Sequence, residues 1–298
     1  MSTVHRSVLY KEALEALGVK PGKTYIDATL NGGGHTKGIL ELGGAVLGID
    51  VDPQAIENVA RLFGLHPEKR SGLLNAQKEG FIAAQGNFAN ITQIASNFGV
   101  WETSGVLFDL GLSSLQLEEG KRGLSFKRNG PLDMRMDPAL AVTAADLVNN
   151  LSERELYELF SKFGEEHAGR RIARAIVQSR VKEKITTSTQ LAGIIERTVG
   201  RRGRIHPATR VFQALRIAVN DEIANLEKGL EGAVSLLEKG GRLVVISFHS
   251  LEDRVVKTFF RDRSELQVLT KKPIVPAREE IIENPRSRSA KMRIAEKQ

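Results

Sequence analysis

The sequence predicts an α/β protein with a mostly parallel sheet and an all-helical insertion. Continuous apolar runs, such as Ala45 to Ile49, are typical of strands buried on both faces of a parallel sheet. Strand and helix patterns alternate up to residue 111 and resume near residue 240, which indicates parallel strands joined by crossover helices. Between residues 112 and 206, amphipathic helix patterns occur without a convincing strand pattern.

The first 111 residues alternate as β-α-β-α-β-α-β after a short helix pattern over residues 8–17. Pro53 stands where helices often begin, so we expect a helix over 54–63, and a shorter one over 91–98. Residues 64–79 are polar and punctuated by glycine, which favours a loop. The predicted strands are 25–30, 45–49, 80–88 and 106–108.

Residues 112–206 are predicted to form the helical insertion. Ser152 and Glu155 make a capping box at the start of one amphipathic helix. Two further helices are expected over 166–181 and from residue 188.

Residues 207–298 begin with a long amphipathic stretch that breaks near Asn220, and then return to the α/β pattern. The predicted elements are strands over 242–248, 266–270 and 292–295 and a helix over 251–261. A core of 1–111 and 207–298 therefore surrounds the insertion at 112–206. We expect a seven-stranded sheet with an antiparallel edge.

Composition excludes several classes of protein and of site. The chain of 298 residues contains no cysteine, which excludes disulfides, thiolate metal sites and cysteine nucleophiles. No metal-binding cluster is apparent in the sequence. No apolar run approaches the roughly 20 residues that span a bilayer, and the N-terminus lacks the apolar region of a signal peptide. We expect a cytoplasmic protein without a membrane segment, and the sequence leaves its oligomeric state open.

The positive charge is concentrated in one segment. The chain carries a net charge of +7, and residues 170–216 contain 12 Lys and Arg against 2 Glu. Solvated helix faces account for most charge runs, but so one-sided an excess favours a polyanionic partner such as nucleic acid.

A glycine-rich turn, Asn31 to Gly34, follows the first predicted strand. The dinucleotide pattern G-x-G-x-x-G fails there, because its last position counted from Gly32 is Lys37. Asp50 ends the second strand, where an acid commonly binds ribose hydroxyls. A turn that lets the main chain approach a ligand, with a later ribose-binding acid, favours S-adenosylmethionine over a nicotinamide dinucleotide.

The missing cysteines also restrict the chemistry, because methylation of pyrimidine C5 uses a cysteine that adds to the ring. Methylation of nitrogen or oxygen needs only an acceptor held in line with the sulfonium methyl group. The polar residues at the ends of predicted strands four and five are Asp109, Ser113, Ser247 and His249. The alternative for His249 is a buried imidazole paired with Glu252 or Asp253.

A series of motifs carries a family resemblance. They are His5–Leu9, Asp27–Thr29, Gly33–His35, Gly48–Pro53, Phe108–Gln116, Arg122–Phe126, Gly130–Asp137, His206–Arg210, Ile246–Arg254 and Asn284–Ser289. Together they closely resemble the bacterial small-subunit ribosomal RNA cytosine-N4 methyltransferase family, also called MraW, from Val4 to the last residues.

The resemblance implies a Rossmann-like class I S-adenosylmethionine-dependent methyltransferase sheet. It also implies methyl transfer to the exocyclic N4 of a cytidine in the decoding region of 16S rRNA, with that RNA or the small ribosomal subunit as partner. The cofactor residues carried over are Gly33, Gly34, His35, Asp50, Phe88, Asp109 and Gln116. Phe88 and Gln116 come from the resemblance alone, and each has a purely structural alternative.

Asp109 and His249 are the candidate acceptors for the amino proton. The helical insertion at 112–206 is the expected RNA-recognition domain. The arginines expected to bind RNA are Arg201, Arg202, Arg204, Arg210, Arg286 and Arg288. The chain departs from the family pattern at Asn31-Gly32. It also lacks the Asp/Asn/Ser-Pro-Pro-aromatic motif of many amino-methyltransferases, because Asp109 to Leu112 occupy that place. The alternatives are a ribose 2′-O methyltransferase and a non-catalytic RNA-binding protein with a nucleoside pocket.

Overall fold

The computed structural model describes residues 7–70, 73–112, 122–201 and 206–298. The chain divides into two compact units, one formed by residues up to 113 with 223–298, the other by 114–222. Within these ranges, no helix is long and apolar enough to cross a membrane.

The first unit contains one nine-stranded sheet in the order β3-β4-β5-β2-β1-β6-β7-β9-β8. The strands are Thr24–Asp27 (β1), Ala45–Asp50 (β2), Glu68–Arg70 (β3), Leu73–Lys78 (β4), Phe81–Gln85 (β5), Thr103–Asp109 (β6), Leu237–Ser247 (β7), Leu266–Val268 (β8) and Lys291–Lys297 (β9). The central strands β5, β2, β1, β6 and β7 are mutually parallel, and the remaining pairings are antiparallel.

Twelve helices occur in the described residues. They are Tyr10–Leu17 (α1), Gly34–Glu41 (α2), Pro53–Leu62 (α3), Ile91–Asn97 (α4), Ala144–Asn150 (α5), Glu153–Gly164 (α6), Gly169–Lys182 (α7), Ser188–Val199 (α8), Thr209–Asn220 (α9), Glu222–Leu236 (α10), Ser250–Asp262 (α11) and Arg278–Glu283 (α12). The fold class predicted from the sequence is confirmed.

The central strands are buried on both faces, as their apolar runs predict. In β6, Val106 and Phe108 belong to one hydrophobic cluster, whereas Leu107 between them belongs to another. In β7, Val244 and Val245 divide between the two clusters in the same way. The parallel register aligns the carboxyl ends of these strands at one edge, where Asp109 of β6 lies opposite Ile246 of β7.

Two predictions about the sheet are wrong. The expected loop over 64–79 contains β3 and β4, which extend the sheet antiparallel beside β5 and raise the strand count from seven to nine. Only Ala76 of β4 is buried, so this strand lacks the apolar pattern that marks a strand in sequence. The third predicted strand ends at Gln85 rather than at Phe88.

The second unit contains α5 to α9. Capping boxes at Thr143, Ser152 and Thr187 begin three of its helices, of which the one at Ser152 is predicted from the sequence. The expected boundary at 206 placed α9 outside the insertion, but α9 lies in the second unit. The predicted break near Asn220 is confirmed, because Asp221 takes a left-handed conformation between α9 and α10.

Close packing of α6 on α9 explains why α9 belongs to this unit. Gln213 donates through Nε2 to the carbonyl oxygen of Phe163 at 3.0 Å. A Cβ on Gly164, the last residue of α6, would lie 2.6 Å from the carbonyl oxygen of Arg210. The two backbones therefore meet at a position that admits only glycine.

We expect Gly164→Ala to lower the free energy of unfolding by roughly 1–3 kcal/mol, because the added methyl group overlaps main-chain atoms. Urea unfolding followed by circular dichroism measures this. Gly193→Ala in α8 is the matched control, since the new Cβ would meet only the end of the Arg197 side chain. That change should stabilise the helix by about 0.5–1 kcal/mol. Stabilisation by both substitutions would contradict the packing described for α6 and α9.

Candidate active site at the carboxyl edge of the sheet

The turn after β1 brings main chain to the carboxyl edge of the sheet. Asn31 and Gly33 both take left-handed conformations, with φ of 47° and 74°. Gly33 precedes the first residue of α2, whose first-turn N–H groups suit an anionic ligand. A Cβ on Gly34 would overlap the Ser7 side chain, so both glycines are required by geometry.

Asn31 joins the ends of β2 and β6, the two strands on either side of β1. Its main-chain N–H donates to Asp50 Oδ2 at 2.8 Å, and its side-chain Nδ2 donates to the carbonyl oxygen of Asp109 at 3.1 Å. The other oxygen of Asp50 accepts from the N–H of Asp52 at 2.9 Å. The β2 carboxylate is thereby fixed beside the turn, as the sequence predicts.

His35 extends the site from the first turn of α2. Its Nε2 lies 3.2 Å from the carbonyl oxygen of Val8, which accepts and therefore places the proton on Nε2. The opposite nitrogen, Nδ1, lies 3.7 Å from Asp109 Oδ2. His35 is 4% exposed and stacks on the ring of Tyr10. The structure thus brings together His35 and Asp109, two residues predicted for one site.

Asp109 ends β6 as a buried carboxyl group. Burial, together with the neighbouring charges of Asp27 and Glu252, raises the pKa of Asp109 to about 8, although a hydrogen bond from the Gly111 main chain acts in the opposite direction. Its Oδ1 atom is buried and has no hydrogen-bond partner in the part of the chain that the structure describes. Such an orphaned acceptor suits a ligand that donates a hydrogen bond or carries positive charge.

Asp27, at the end of β1, was not predicted as a site residue. Its Oδ2 accepts from Thr36 Oγ1 at 2.7 Å, and its Oδ1 accepts from the N–H of Thr29 at 3.3 Å. Burial raises the pKa of Asp27 to about 7 despite these hydrogen bonds. The sequence predicts a strand over 25–30 that contains Asp27, so Asp27 lacked the position at a strand end that identified Asp50 and Asp109.

Phe88 lies just past the end of β5, at the start of a short 3₁₀ helix. Its half-buried ring packs edge-on against Phe108, with 5.4 Å between ring centroids. A Cβ on Gly229 would lie 2.8 Å from its Cδ2 atom, so the ring fits closely against α10. Because the N–H of Gly86 donates to the carbonyl oxygen of Asp50, this segment is tied to the end of β2.

The sequence model of the MraW methylase family matches residues 2–298. The chain belongs to the MraW methylase family. Proteins called "Ribosomal RNA small subunit methyltransferase H" are similar over nearly the whole chain. That of Thermomicrobium roseum is 47% identical, covering 100% of this chain and 94% of the relative. That of Deinococcus deserti is 48% identical (99% and 94%), and that of Geobacter sulfurreducens is 45% identical (100% and 100%).

As a member of the MraW methylase family, the protein is an S-adenosylmethionine-dependent methyltransferase with the Rossmann-like class I fold. The site fits this cofactor. The turn at Gly33 admits a ligand close to main chain, Asp50 offers acceptor oxygens for ribose hydroxyls, and Phe88 offers a flat apolar ring. The orphaned Oδ1 of Asp109 suits a group that donates or carries positive charge.

His249 is held as a helix cap rather than as a free base. Its Nδ1 accepts from the N–H of Glu252 at 3.3 Å, and its Nε2 lies 3.0 Å from Glu252 Oε1 in a poorly aligned ion-pair contact. The pairing with Glu252 is the alternative that the sequence left open; Asp253 instead binds Arg293 and Lys291. With Nδ1 accepting and the Nε2 proton facing a carboxylate, the imidazole presents no lone pair to a substrate.

The described residues predicted to bind RNA are divided between the two units. In the second unit, Arg201 pairs with Glu196 at 2.8 Å and Arg210 donates to the carbonyl oxygen of Glu165 at 3.2 Å. Arg286 and Arg288 are exposed in the 3₁₀ helix Pro285–Ser289 of the first unit. Gln116, Arg202, Arg204 and Ser113 lie outside the described residues.

Asp27 gives the site a pH-dependent stability. Since the folded-state pKa of about 7 lies above the unfolded value near 3.9, its contribution is fully present below about pH 4 and is lost as pH rises through 7. Asp27→Asn removes this dependence and keeps partners for Thr29 and Thr36. We expect the variant's advantage in unfolding free energy over the wild type to be about 2–3 kcal/mol larger at pH 8 than at pH 5.

Urea unfolding without cofactor at the two pH values measures this difference. The control is Asp262→Asn, because Asp262 pairs with Arg261 at the surface and its pKa is lowered. An Asp27→Asn difference that is equal at pH 5 and pH 8 would show that Asp27 is already ionised in the folded protein.

Proposed function

We propose that the protein transfers the methyl group of S-adenosylmethionine to the exocyclic N4 of a cytidine in the decoding region of 16S rRNA, as a cytoplasmic enzyme. The similar proteins are called small-subunit ribosomal RNA methyltransferases, which supports such an RNA as the substrate. The observation that carries the chemistry is the buried Asp109 carboxyl group next to the glycine-rich turn, whose Oδ1 accepts no hydrogen bond from the residues that the structure describes.

In this proposal, S-adenosylmethionine supplies the electrophilic methyl group when bound. Asp50 binds the ribose, residues 33–35 the methionine end, and Phe88 the adenine, with Gln116 as a further cofactor residue. The absence of cysteine is consistent with direct transfer to nitrogen, which needs no covalent intermediate.

Asp109 is the proposed acceptor in the transfer step. Cytosine N4 is a poor nucleophile because its lone pair is delocalised into the ring. A hydrogen bond from the amino group to the Asp109 carboxylate favours a pyramidal nitrogen, so that the N–CH₃ bond forms as the S–CH₃ bond breaks. The carboxylate then takes the amino proton. A positive charge nearby favours the ionised form of Asp109, which offsets its burial.

The target base must leave its stack to reach the methyl group, so we expect the enzyme to act on single-stranded or opened RNA. Of the predicted RNA contacts within the described residues, Arg286 and Arg288 extend from the surface near β9. They are proposed to bind phosphates, together with Arg201 and Arg210.

Nucleoside analysis tests the proposed reaction. Small ribosomal subunits lacking the modification are incubated with the protein and labelled S-adenosylmethionine, and the digested RNA is examined by mass spectrometry. We expect the label in N4-methylcytidine. Label in a 2′-O-methylated nucleoside would instead identify the alternative ribose methyltransferase.

The pH dependence of turnover tests the role of Asp109. The carboxylate must be ionised for transfer. Its pKa is about 8 in the ligand-free protein, and the positive charge of the bound cofactor lowers that pKa. We therefore expect kcat to rise with pH and to level off near or below pH 8. Asp109→Asn should lower kcat roughly 100-fold or more and abolish the rise of kcat with pH. His249→Asn, which keeps an N-cap, should retain both the activity and the rise with pH. If His249→Asn loses the rise and Asp109→Asn keeps it, the assignment of Asp109 as the acceptor is wrong.

A further inference from the structure

The outer face of helix α7 carries a row of basic side chains. Arg171, Arg174, Gln178 and Lys182 are spaced by three or four residues, so they lie along one side of the helix, and all are exposed. The opposite side is buried through residues such as Ile172 and Ile176. No acidic residue occurs within α7. The helix is therefore amphipathic, with a solvent face that is cationic rather than mixed in charge.

These cations are weakly neutralised within the protein. Arg171 and Lys182 make no ion pair with any residue that the structure describes. Arg174 lies 3.4 Å from Glu153, but its side chain remains 63% exposed. Surface arginines elsewhere have close partners, such as Arg263 with Glu231 at 2.6 Å. A mixed, solvated surface would be expected to balance these charges locally.

The row contrasts with the arginines that the sequence singled out in this unit. Arg201 and Arg210 are engaged by Glu196 and by the carbonyl oxygen of Glu165. Arg171 and Lys182 have no such partner among the residues that the structure describes. The exposed Arg170 directly precedes Arg171 in the helix. Its guanidinium group lies 5.2 Å from the centre of the Tyr157 ring.

The dimensions of the row fit a nucleic-acid backbone. Lys182 lies eleven positions after Arg171, which corresponds to about 16 Å along a helix. A row of this length can contact several successive phosphates. Arginine binds phosphate oxygens bidentately, and a run of cations without base-reading partners recognises charge rather than sequence. Exposed Val181 lies on the same face and adds no competing charge.

We infer that the outer face of α7, defined by Arg171, Arg174, Gln178 and Lys182, binds consecutive backbone phosphates of the RNA substrate. This inference rests on the proposed function, because it takes RNA as the substrate. It assigns to α7 a phosphate-binding surface that is separate from the base-modifying residues, and that contributes RNA affinity without reading the sequence.

The test reverses the charge of the two unpaired cations in the full-length protein. Arg171→Glu/Lys182→Glu is compared with Lys239→Glu/Lys257→Glu, which makes the same charge change at exposed positions of the first unit. Binding is measured by fluorescence anisotropy with a labelled single-stranded RNA of decoding-region sequence between 50 and 200 mM salt. Calorimetry with S-adenosylmethionine checks that each variant retains its cofactor site. The neutral double variant Arg171→Gln/Lys182→Gln serves if the reversal impairs folding.

We expect the α7 reversal to weaken RNA binding tenfold or more at 50 mM salt. The slope of log K against log salt should fall by about 1.4, the value for two phosphate contacts with a single strand. Cofactor affinity and kcat at saturating RNA should be unchanged, so that the loss appears in KM. The Lys239→Glu/Lys257→Glu control should bind RNA within about threefold of the wild type.

The inference is overturned if the α7 variants keep the wild-type salt slope, or if the control loses as much affinity. It is also overturned if the variants lose binding to polyglutamate while RNA binding is unchanged, since that would point to an acidic protein partner. A separate result would contradict the proposed function, namely that the wild type binds RNA but yields no N4-methylcytidine. In that case, a smaller salt slope in the α7 variants would still support the phosphate-binding surface on α7.

Discussion

The site depends on carboxyl groups buried at the ends of adjacent parallel strands. The register of β1, β2 and β6 brings Asp27, Asp50 and Asp109 to one edge of the sheet, where burial penalises their charged forms. Each is held by donors from the glycine-rich turn or the strand ends. Asn31 is central, because its N–H binds Asp50 while its side chain binds the main chain of Asp109. The turn therefore organises the acids as well as admitting a ligand.

The same burial gives the site its chemical character and a cost in stability. A carboxyl group with a pKa near 8 releases and takes up protons around neutral pH, as a proton acceptor requires. The charge of Asp27 raises the pKa of Asp109, so Asp109 is harder to ionise when Asp27 is ionised. In the folded protein, the carboxyl groups of Asp27 and Asp109 are therefore partly protonated near neutral pH, whereas in the unfolded chain they would be ionised. A cation bound beside Asp109 would favour the ionised form of its carboxyl group. Cofactor binding and the ionisation of Asp109 are therefore coupled.

Sequence patterns predicted the parts of the molecule that burial dictates. Apolar runs located the central strands, and the acids that follow β2 and β6 marked the site. The polar hairpin of β3 and β4 was missed, because β4 buries only one residue and so has no apolar pattern in the sequence. His249 was correctly placed at a strand end, but its capping of α11 depends on a contact with Glu252 that spacing alone left open. Asn31 was noted only as a departure from the family, since its two hydrogen bonds exist only in three dimensions.

The central claim is that Asp109 is a buried acid with a strongly raised pKa, poised to accept a proton. A carbon-13 NMR titration of the aspartate carboxyl groups, with the Asp109 signal assigned from its absence in Asp109→Asn, tests this most directly. The account predicts a titration midpoint near pH 8 in the ligand-free protein. It also predicts a lower midpoint when S-adenosylmethionine is bound. A midpoint near 4 in the ligand-free protein, unchanged by the cofactor, would contradict it.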